Sequence, residues 1–592
     1  YYALKANTVG DRNVSIGSWS LHSYNPGSNA DTYNTAVGYN ALGSTTTAIN
    51  NTAVGGAAMD ANTTGGYNTA VGKDALGANT TANSNTAVGY VALATNTTGT
   101  ANTGLGQSAL YSNTTGSDCT AVGLQALYTN TTGSNNIAMG RNALYTNTTG
   151  ASNTAIGYNA MSANTTASNN TAVGMDSLAS NTTGALNVAV GQNALNANTT
   201  GSNNTAIGRS ALGACTTGVQ NTALGYNCLS TLTTANNNVA VGYGVLSENT
   251  SGTLNCGVGL NTLDANTTGN NNTAVGYSSL GANTTGGSNT ALGYACLYEN
   301  TTADYNCGVG RAALSQNTTG TQNTAVGDVP LYYNTTGSYN VAMGRLALHS
   351  NTTASYNTAV GYNSLYTSTT GASNTSIGAE TAAALTTGGA NTIMGKSAAN
   401  QITTGSNNVC LGVHAGNQVV NLTTGAQCIL IGAYSHTSAT DASYQHVIGY
   451  NLQSKGDSTI YVQGNAYNSA NTSAWQTTSD RRIKKNIVDN NIGLDKINQI
   501  RVRNFEYRTL DEITELDNPA SAVIEKEGIQ LGVIAQEIME VLPDVVNQES
   551  DGAYGVNPDN LTWYLVNAVK ELSTKNDELA AEIASLKSQI NN

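Results

Sequence analysis

One 17-residue period runs through most of the chain and limits the folds open to it. The segment NTAVGYNAL carries a glycine that recurs every 17 residues from Gly38 to Gly412, so that 23 glycines stand in register. Looser copies end at Gly17 before this series and at Gly432 and Gly449 after it. A 17-residue unit is too short for a helical hairpin and suits one coil of a β-solenoid.

The consensus unit reads N-T-A-V-G-Y-N-A-L-x-x-N-T-T-G-x-x, and its positions are numbered here from the first Asn. Position 2 is Thr, Val, Ile or Cys and position 4 is Val, Ile, Leu or Met, so alternate residues share one face, as in a strand. We predict that positions 2 and 4 point inward, with the Leu or Met of position 9 as a further anchor. The glycine of position 5 and the N-T-T-G run suit turns.

Such a coil adds about 4.8 Å along the axis and encloses little apolar volume. Identical side chains in successive coils are expected to stack as Asn and Thr ladders. Because the predicted core is thin, association of chains around a common axis would thicken it.

The unit NTAVGYNAL is similar to the head repeats of trimeric bacterial adhesins, although its 17-residue period is longer than the usual head unit. The resemblance covers residues 13 to about 450. It implies a left-handed β-roll in each of three associated chains. The expected fold class is therefore an all-β solenoid of 17-residue repeats. The remaining sequence predicts that a small α+β domain with a C-terminal trimeric coiled coil follows it.

Tyrosine often follows the glycine of position 5, and two interpretations of this row stay open. Stacked rings in a fixed register form a packing ladder between coils, the favoured interpretation, or a stripe that binds carbohydrate. The residues concerned are Tyr39, Tyr90, Tyr158, Tyr226, Tyr243, Tyr277, Tyr294 and Tyr362. The many Asn-x-Thr sequons are likewise interpreted as ladder residues rather than as glycosylation sites.

The eight cysteines form no CxxC pair and have no His at the spacing of a metal site. We interpret them as small buried core residues, with a disulfide or ligand role as the alternative, and expect no metal and no cofactor. Two of them, Cys256 and Cys307, occupy position 2 of the repeat.

Charge is concentrated at the C-terminal end, where 114 residues from Ser479 onward hold 32 of the 55 charged side chains. The earlier part has no basic run that would neutralise a phosphate backbone, so nucleic acid is not expected as a partner. No stretch of 18 apolar residues predicts a membrane-spanning helix. After Ser479 the pattern predicts a strand over 502–508, a strand and a helix over 530–546, and a long final helix.

The final helix, predicted over 561–592, carries apolar residues at strict 4-3 spacing, which is typical of a coiled-coil seam. A single amphipathic helix docked on its own domain is the alternative. The predicted seam consists of Leu565, Val569, Leu572, Asn576, Leu579, Ile583, Leu586 and Ile590. An Asn in the seam would specify its register.

Three ordered segments, SDRRIKKNI, GVIAQEIMEVLPDVV and YGVNPDNLTWYLVNAVKEL, resemble the C-terminal intramolecular chaperone domain of phage endosialidases, tail spikes and tail fibres. The resemblance covers nearly all of residues 479–592. It implies a domain that trimerises, guides folding of the β-structured fibre before it, and often releases itself by autoproteolysis.

Carried over residue by residue, the cleaving serine of this family matches Ser479 and its lysine matches Lys484, with Lys485 as an alternative base. A desolvated lysine flanked by cations can act as a general base for a serine hydroxyl. The resemblance thus implies cleavage between Thr478 and Ser479. A solvated charge cluster at a domain start is the alternative, and no turnover enzyme is predicted.

The predicted organisation is a connector and first coil (1–33), a β-solenoid (34–450), a second connector (451–478) and a chaperone domain (479–592). The expected protein is a homotrimeric fibre of a virion tail that attaches to a host surface receptor, of which a glycan is one kind. Contacts with other virion or fibre proteins are expected through a part that precedes Tyr1.

A bacterial surface or secreted adhesin that retains an uncleaved trimerisation cap is the alternative function. A glycan-degrading tail spike is not favoured, because residues 1–478 hold only 14 acidic residues without an evident clustered pair.

Overall fold

The computed structural model describes residues 1–28, 31–417, 419–463, 481, 484–516, 523–524, 526–548 and 552–591. The chain divides into two compact units, Tyr1–Asn357 and Thr358–Asn592.

The first unit is a parallel β-solenoid in which each coil contributes one short strand. Each strand pairs in register with the next, so that Thr35 lies opposite Thr52 and Ala36 opposite Ala53. The strands are β1 (Val14–Ile16), β2 (Thr35–Val37), β3 (Thr52–Val54), β4 (Thr69–Val71), β5 (Thr86–Val88), β6 (Thr103–Leu105), β7 (Thr120–Val122), β8 (Ile137–Met139), β9 (Thr154–Ile156), β10 (Thr171–Val173), β11 (Val188–Val190), β12 (Thr205–Ile207), β13 (Thr222–Leu224), β14 (Val239–Tyr243), β15 (Cys256–Leu260), β16 (Thr273–Val275), β17 (Thr290–Leu292), β18 (Cys307–Val309), β19 (Thr324–Val326) and β20 (Val341–Met343).

The second unit contains further coils of the same kind and a small α+β region, here called the C-terminal module (residues 481–591). Its solenoid strands are β21 (Thr358–Val360), β22 (Thr375–Ile377), β23 (Thr392–Met394), β24 (Val409–Leu411), β25 (Ile429–Ile431), β26 (His446–Ile448) and β27 (Ile460–Val462). The module contains α1 (Leu494–Ile497), β28 (Arg503–Phe505), β29 (Gln530–Gly532), α2 (Ala535–Val541), β30 (Val546–Gln548), β31 (Tyr554–Val556) and α3 (Pro558–Ile590).

Within the module, β28 pairs antiparallel with β29, and β30 pairs antiparallel with β31. Short 3₁₀ turns occupy Leu510–Glu512 and Pro543–Val545. The expected fold class, a solenoid of 17-residue coils followed by a small α+β region with a terminal helix, is confirmed. The left-handed winding and the trimer stay predictions.

The prediction that positions 2 and 4 point inward is wrong. In β2 the middle residue, Ala36, is fully buried, whereas Thr35 and Val37 are only half-buried, and the same pattern recurs in the following strands. The interior of the coil is so narrow that position 3 is nearly always Ala or Gly, so the larger residues of positions 2 and 4 face outward. We call this outward surface the outer strand face.

Position 9 is a buried anchor, as predicted, but it takes an unexpected backbone conformation. Leu42 is fully buried at φ 52°, and the leucines of the following coils repeat both properties. A left-handed conformation costs a non-glycine residue about 1–2 kcal/mol. Full burial of a leucine side chain contributes about 1.5–3 kcal/mol, which offsets that cost.

The glycine of position 5 is required by both backbone conformation and space. Gly55 has φ 142°, and a Cβ atom there would overlap the carbonyl oxygen of Gly72 in the next coil. Only glycine meets both conditions, which explains why this residue is present in every unit of the series.

Asn and Thr ladders connect the coils, as expected. The Asn51 backbone N–H donates to Oδ1 of Asn34 at 3.0 Å, and Nδ2 of Asn79 donates to Oδ1 of Asn62 at 2.9 Å. These asparagines are fully buried, so their amides must be paired inside the coil. A row of partly exposed threonines also connects equivalent positions of successive coils, since Thr63 Oγ1 donates to the Thr80 carbonyl at 3.0 Å.

From Leu385 onward, the coils of the second unit have a more apolar interior. Position 3 becomes Ile393, Cys410, Leu430 and Val447, and position 12 changes from Asn to Leu385 and Ile402, all of them buried. Apolar burial therefore replaces one Asn ladder in this part of the solenoid.

All eight cysteines are free thiols, and six are buried as predicted. Cys256 and Cys307 are half-buried because position 2 faces outward. Burial raises the pKa of the Cys410 thiol to about 12, so this side chain stays protonated and behaves as a small apolar residue.

Position-6 tyrosines do form packing contacts between coils. The rings of Tyr226 and Tyr243 stack with centroids 5.1 Å apart. Some coils have a cationic residue at position 6 instead of tyrosine, and its charge then lies over the tyrosine ring of the next coil. The Arg141 guanidinium, for example, lies 6.0 Å from the centroid of the Tyr158 ring. A packing ladder is therefore present at this position.

Candidate functional site

Helix α3 carries most of the residues that sequence reasoning assigned to assembly. It begins after Asn557, whose side-chain oxygen accepts hydrogen bonds from the backbone N–H groups of Asp559 and Asn560 at 3.0 and 3.3 Å. Pro558 occupies the first helical position, and Asp559 places a negative charge at the positive end of the helix dipole. With 33 residues, the helix is about 50 Å long.

One face of the first turns of α3 packs on the core of the module. Tyr564 and Ala568 are buried there, and Tyr564 contacts a cluster formed with Ile538, Leu542 and Val545. This face anchors the beginning of the helix on α2 and on the 3₁₀ turn that follows it.

A partly buried hydrogen bond to the exposed Asp544 carboxylate fixes the same turn. The Tyr564 hydroxyl donates to Oδ2 of Asp544 at 2.7 Å, and Nδ2 of Asn560 donates to the Asp544 carbonyl at 3.2 Å. The hydrogen bond to Asp544 raises the pKa of Tyr564, because the phenol must keep its proton to donate it.

A second contact brings the start of the module onto α3. Oε2 of Glu571 accepts a hydrogen bond from the Leu494 backbone N–H at 3.0 Å, and Nδ2 of Asn567 donates to the Asn490 carbonyl at 2.6 Å. Gly493 is buried between them, and a Cβ atom there would lie 2.6 Å from the Ala568 backbone nitrogen. The helix and the incoming chain can approach this closely only because residue 493 has no side chain.

An exposed ion pair connects β28 to α2. The Arg503 guanidinium donates two hydrogen bonds to the Glu537 carboxylate, at 2.8 and 3.2 Å. Arg503 thereby holds the pKa of Glu537 below its usual range.

The predicted seam lies on a different face of α3 from the docked one. All seven of its aliphatic residues are exposed in the single chain, from Leu565 at 44% to Ile590 at 81%. Residues 572–591 are exposed on every side, so this half of α3 is not packed on the described residues of its own chain. The first turns of α3 are thus docked on the module, as the alternative expects, whereas residues 572–591 are not, and the coiled-coil seam stays a prediction.

An open groove lies where α3 meets the preceding segment 488–491. It has a volume of about 910 Å³ and is lined by Asp489, Asn490, Trp563, Val566 and Lys570, among others. The Trp563 ring is 67% exposed there.

The solenoid also exposes apolar residues, along its outer strand face. In the first unit the exposed aliphatic residues at positions 2 and 4 of β1–β20 are Val14, Ile16, Val71, Leu105, Ile137, Met139, Ile156, Ile207, Leu224, Val239, Val275 and Met343. In-register parallel pairing brings equivalent positions of neighbouring strands side by side, so these residues lie in two rows along the ladder, one for each position. Rows of exposed aliphatic residues of this kind are typical of interaction surfaces.

The candidate cleavage site is only partly within the described residues. Thr478 and Ser479 lie outside them, so the structure does not test whether Ser479 and Lys484 come together. Lys484 and Lys485 are exposed, and the Lys484 backbone N–H donates to the Arg481 carbonyl at 3.2 Å.

The part of the chain that the structure describes also bears on metal binding and membrane insertion. No three His, Cys, Asp or Glu side chains in that part are placed to hold a metal ion. Among its helices, none has both the length and the apolar character needed to cross a bilayer.

Sequence reasoning missed the contact of Gly493 with α3 and the pairing of Tyr564 with Asp544. No periodic pattern in the sequence predicts either of these two contacts, because each joins residues that are far apart in the chain and belong to no repeat. The sequence did contain a signal that position 3 points inward, because nearly every unit has Ala or Gly there.

Residues 479–547 match the model of a protein family described as the chaperone of endosialidase. The match covers the module from Ser479 to the end of the β30 region and stops before α3. The chain therefore carries an endosialidase-type chaperone domain behind a β-solenoid of 17-residue coils, a combination that fits a tail-spike-like protein.

Proposed function

We propose that three copies of this chain assemble into a fibre that attaches to a host cell surface, and that the C-terminal module drives this assembly. The observation that carries the proposal is the exposed apolar seam of α3, which continues for 20 residues beyond the last contact with the module. Burying one exposed aliphatic side chain contributes about 1.5–3 kcal/mol. Association of three helices along the seam provides that burial.

The outer strand face supports the same assembly. The strand of each coil turns only its small middle residue inward, so the aliphatic side chains of positions 2 and 4 stay partly or largely exposed in a single chain. Packing three solenoids through this face would bury these Val, Ile, Leu and Met side chains. The assembled solenoids would thus add an apolar interface to the narrow core that each coil builds around its position-9 residue.

Self-cleavage between Thr478 and Ser479 is the second part of the proposal. The Ser479 hydroxyl attacks the Thr478 carbonyl carbon, Lys484 accepts the hydroxyl proton, and the amide bond breaks as its nitrogen is protonated. The product is an ester between Thr478 and the Ser479 side chain, with a free amine on Ser479. Water then hydrolyses the ester and leaves a carboxylate on Thr478.

Two observations bear on this reaction. The chaperone match begins at Ser479, which places the proposed cut at the domain boundary. Lys484 is exposed in the single chain, whereas a general-base lysine needs a desolvated site to lose its proton near neutral pH. We therefore place the reaction after assembly, when a neighbouring copy covers Lys484.

The test is denaturing mass spectrometry of the freshly produced full chain beside Ser479→Ala, with Ser473→Ala as the matched control. We expect the parent and the control to yield two pieces divided between Thr478 and Ser479, and Ser479→Ala to remain whole. Lys484→Met should also remain whole, while Lys485→Met should be cut if Lys484 is the base.

An intact parent would instead favour the second candidate, a surface or secreted adhesin that keeps its trimerisation cap. The exposure of Lys484 is the observation that favours this candidate. In that case the assembly part of the proposal stands only if the same sample has the mass of a trimer.

A further inference from the structure

A short ladder of aromatic rings ends abruptly on the surface of the first unit. Tyr111, Tyr128 and Tyr145 occupy position 10 of successive coils, and their ring centroids are 5.2 Å apart with planes within 9° of parallel. The next coil has Ser162 at this position. Since a serine side chain is too short to cover an aromatic ring, the last face of the Tyr145 ring has no ring over it.

An open groove of about 470 Å³ lies at this end of the ladder. Its lining includes Tyr145 and Ser162 of position 10 and the amides Gln125, Asn142 and Asn159 of position 7. None of the residues that line this groove, all of them described, carries a charge. The groove thus combines an uncovered aromatic face with a row of amides.

The amide row retains hydrogen-bonding capacity. Nδ2 of Asn142 donates to Oδ1 of Asn159 at 3.2 Å, and Nδ2 of Asn159 donates to the Asp176 carboxylate at 3.2 Å. Oδ1 of Asn142 is buried from solvent and has no hydrogen-bond partner. Each carboxamide has two N–H groups and two acceptor lone pairs, so these contacts leave donors and acceptors unused.

We propose that this groove binds a neutral pyranose ring of a glycan, which stacks on Tyr145 in the place of a fourth aromatic ring. The inference rests on the proposed attachment function and names the class of receptor that this surface takes. The C–H groups on one face of a pyranose pack against an aromatic face, and its hydroxyl groups pair with amides that both donate and accept.

Charge and spacing favour this occupant over others. An anionic sugar or a nucleotide would call for a cationic side chain in the groove, and its lining has none. Successive rings of the ladder are 5.2 Å apart, so a sugar ring stacked on Tyr145 would lie at the level of Ser162, whose short side chain lines the groove. A site with one stacked ring binds weakly, so three copies in one fibre would raise the avidity.

The test fills the groove with the residue that the ladder itself uses. Ser162→Tyr adds a fourth ring over Tyr145, at a position where three preceding coils already accommodate tyrosine. Ala94→Tyr makes the matched addition at the other end of the ladder and leaves the groove open. Both variants are expected to fold, because each extends a stack that the solenoid already contains.

Binding is measured by saturation-transfer NMR on the full chain, with methyl glycosides of glucose, galactose and N-acetylglucosamine and a disaccharide of each as probes. We expect transfer to protons on one face of at least one probe, a loss of at least tenfold in affinity in Ser162→Tyr, and unchanged binding in Ala94→Tyr. Asn159→Ala should weaken binding by a smaller factor.

Two results would overturn the inference: no transfer to any probe in the parent, or equal binding in the parent and Ser162→Tyr. The mass of each sample in solution separates this failure from that of the proposed function. A trimer that binds no sugar contradicts only the glycan groove, whereas a monomer contradicts the assembly on which the fibre depends.

Discussion

The coils and the C-terminal module differ in the reach of the hydrogen bonds that hold them. In the coils, Asn79 bonds to Asn62, 17 residues away, and the same step repeats from coil to coil. In the module, Leu494 bonds to Glu571, 77 residues away. A coil therefore needs only its neighbours, whereas the module forms only when distant segments have met.

This difference suggests why a chaperone accompanies a solenoid. The first coil to form has no neighbour to pair with, so nucleation of a parallel ladder is slow even though each later coil adds readily. A module that folds through its own core and brings three chains together would supply the missing neighbours. We therefore expect substitutions in the module to affect assembly and substitutions in the coils to act locally.

The largest effect is expected from Gly493→Ala in the module. The new Cβ atom would lie 2.6 Å from the Ala568 nitrogen and 2.7 Å from the Asn567 carbonyl carbon, and the backbone of α3 cannot move away without losing its helical bonds. We expect a cost of about 3 kcal/mol or more and loss of the trimer in analytical ultracentrifugation. Asn491→Ala, at an exposed neighbouring position, is the control. Normal assembly of Gly493→Ala would show that this close approach is dispensable.

A smaller and more local effect is expected from Gly55→Ala in the solenoid. The new methyl group would overlap the Gly72 carbonyl at a left-handed backbone position, which costs about 1–3 kcal/mol. Hydrogen-exchange mass spectrometry should reveal lost protection in the neighbouring coils alone, and the oligomeric mass should not change. Gly56→Ala is the matched control, because no atom lies within 4 Å of its added Cβ. Loss of protection along the whole solenoid would contradict the independence of the coils.

The smallest effect is expected at the Arg503–Glu537 ion pair. Because Arg503 lowers the pKa of Glu537 in the folded state, the pair stabilises the module at neutral pH. That contribution is lost as the pH falls through the usual carboxylate range toward the lowered pKa. Urea unfolding followed by helical circular dichroism should therefore be less acid-sensitive in Glu537→Gln than in the parent. Glu540→Gln serves as the control, and equal acid sensitivity in all three proteins would rule out a role for the pair.

Much of the solenoid was predictable because one period determines it. The glycine register gave the number and place of the coils, and the Asn and Thr positions gave the ladders. The face of the strand was predicted wrongly, because a period of two identifies which residues share a side and not which side is inside. Val37 has the more apolar side chain, yet only Ala36 fits the narrow interior.

The site was less predictable than the fold. The 4-3 spacing of Leu565 and Val569 identified the exposed face of α3, and the chaperone segments identified the family of the module. The contacts of Gly493, Tyr564 and Glu571 depend on how distant segments meet, and one sequence carries no periodic record of that. The tyrosines of position 6 do not predict the ring ladder that ends at Tyr145, because that ladder is built from position 10 of the repeat.

The identical bonding between successive coils has a genetic consequence. Each coil bonds to the next through the same atoms, so loss or gain of one 17-residue unit joins two surfaces that already fit. Recombination between DNA segments that encode two coils in the same register would then change the number of coils by one, about 4.8 Å each, and preserve the reading frame. Such a gene can vary the reach of its product in single steps while every intermediate length still folds.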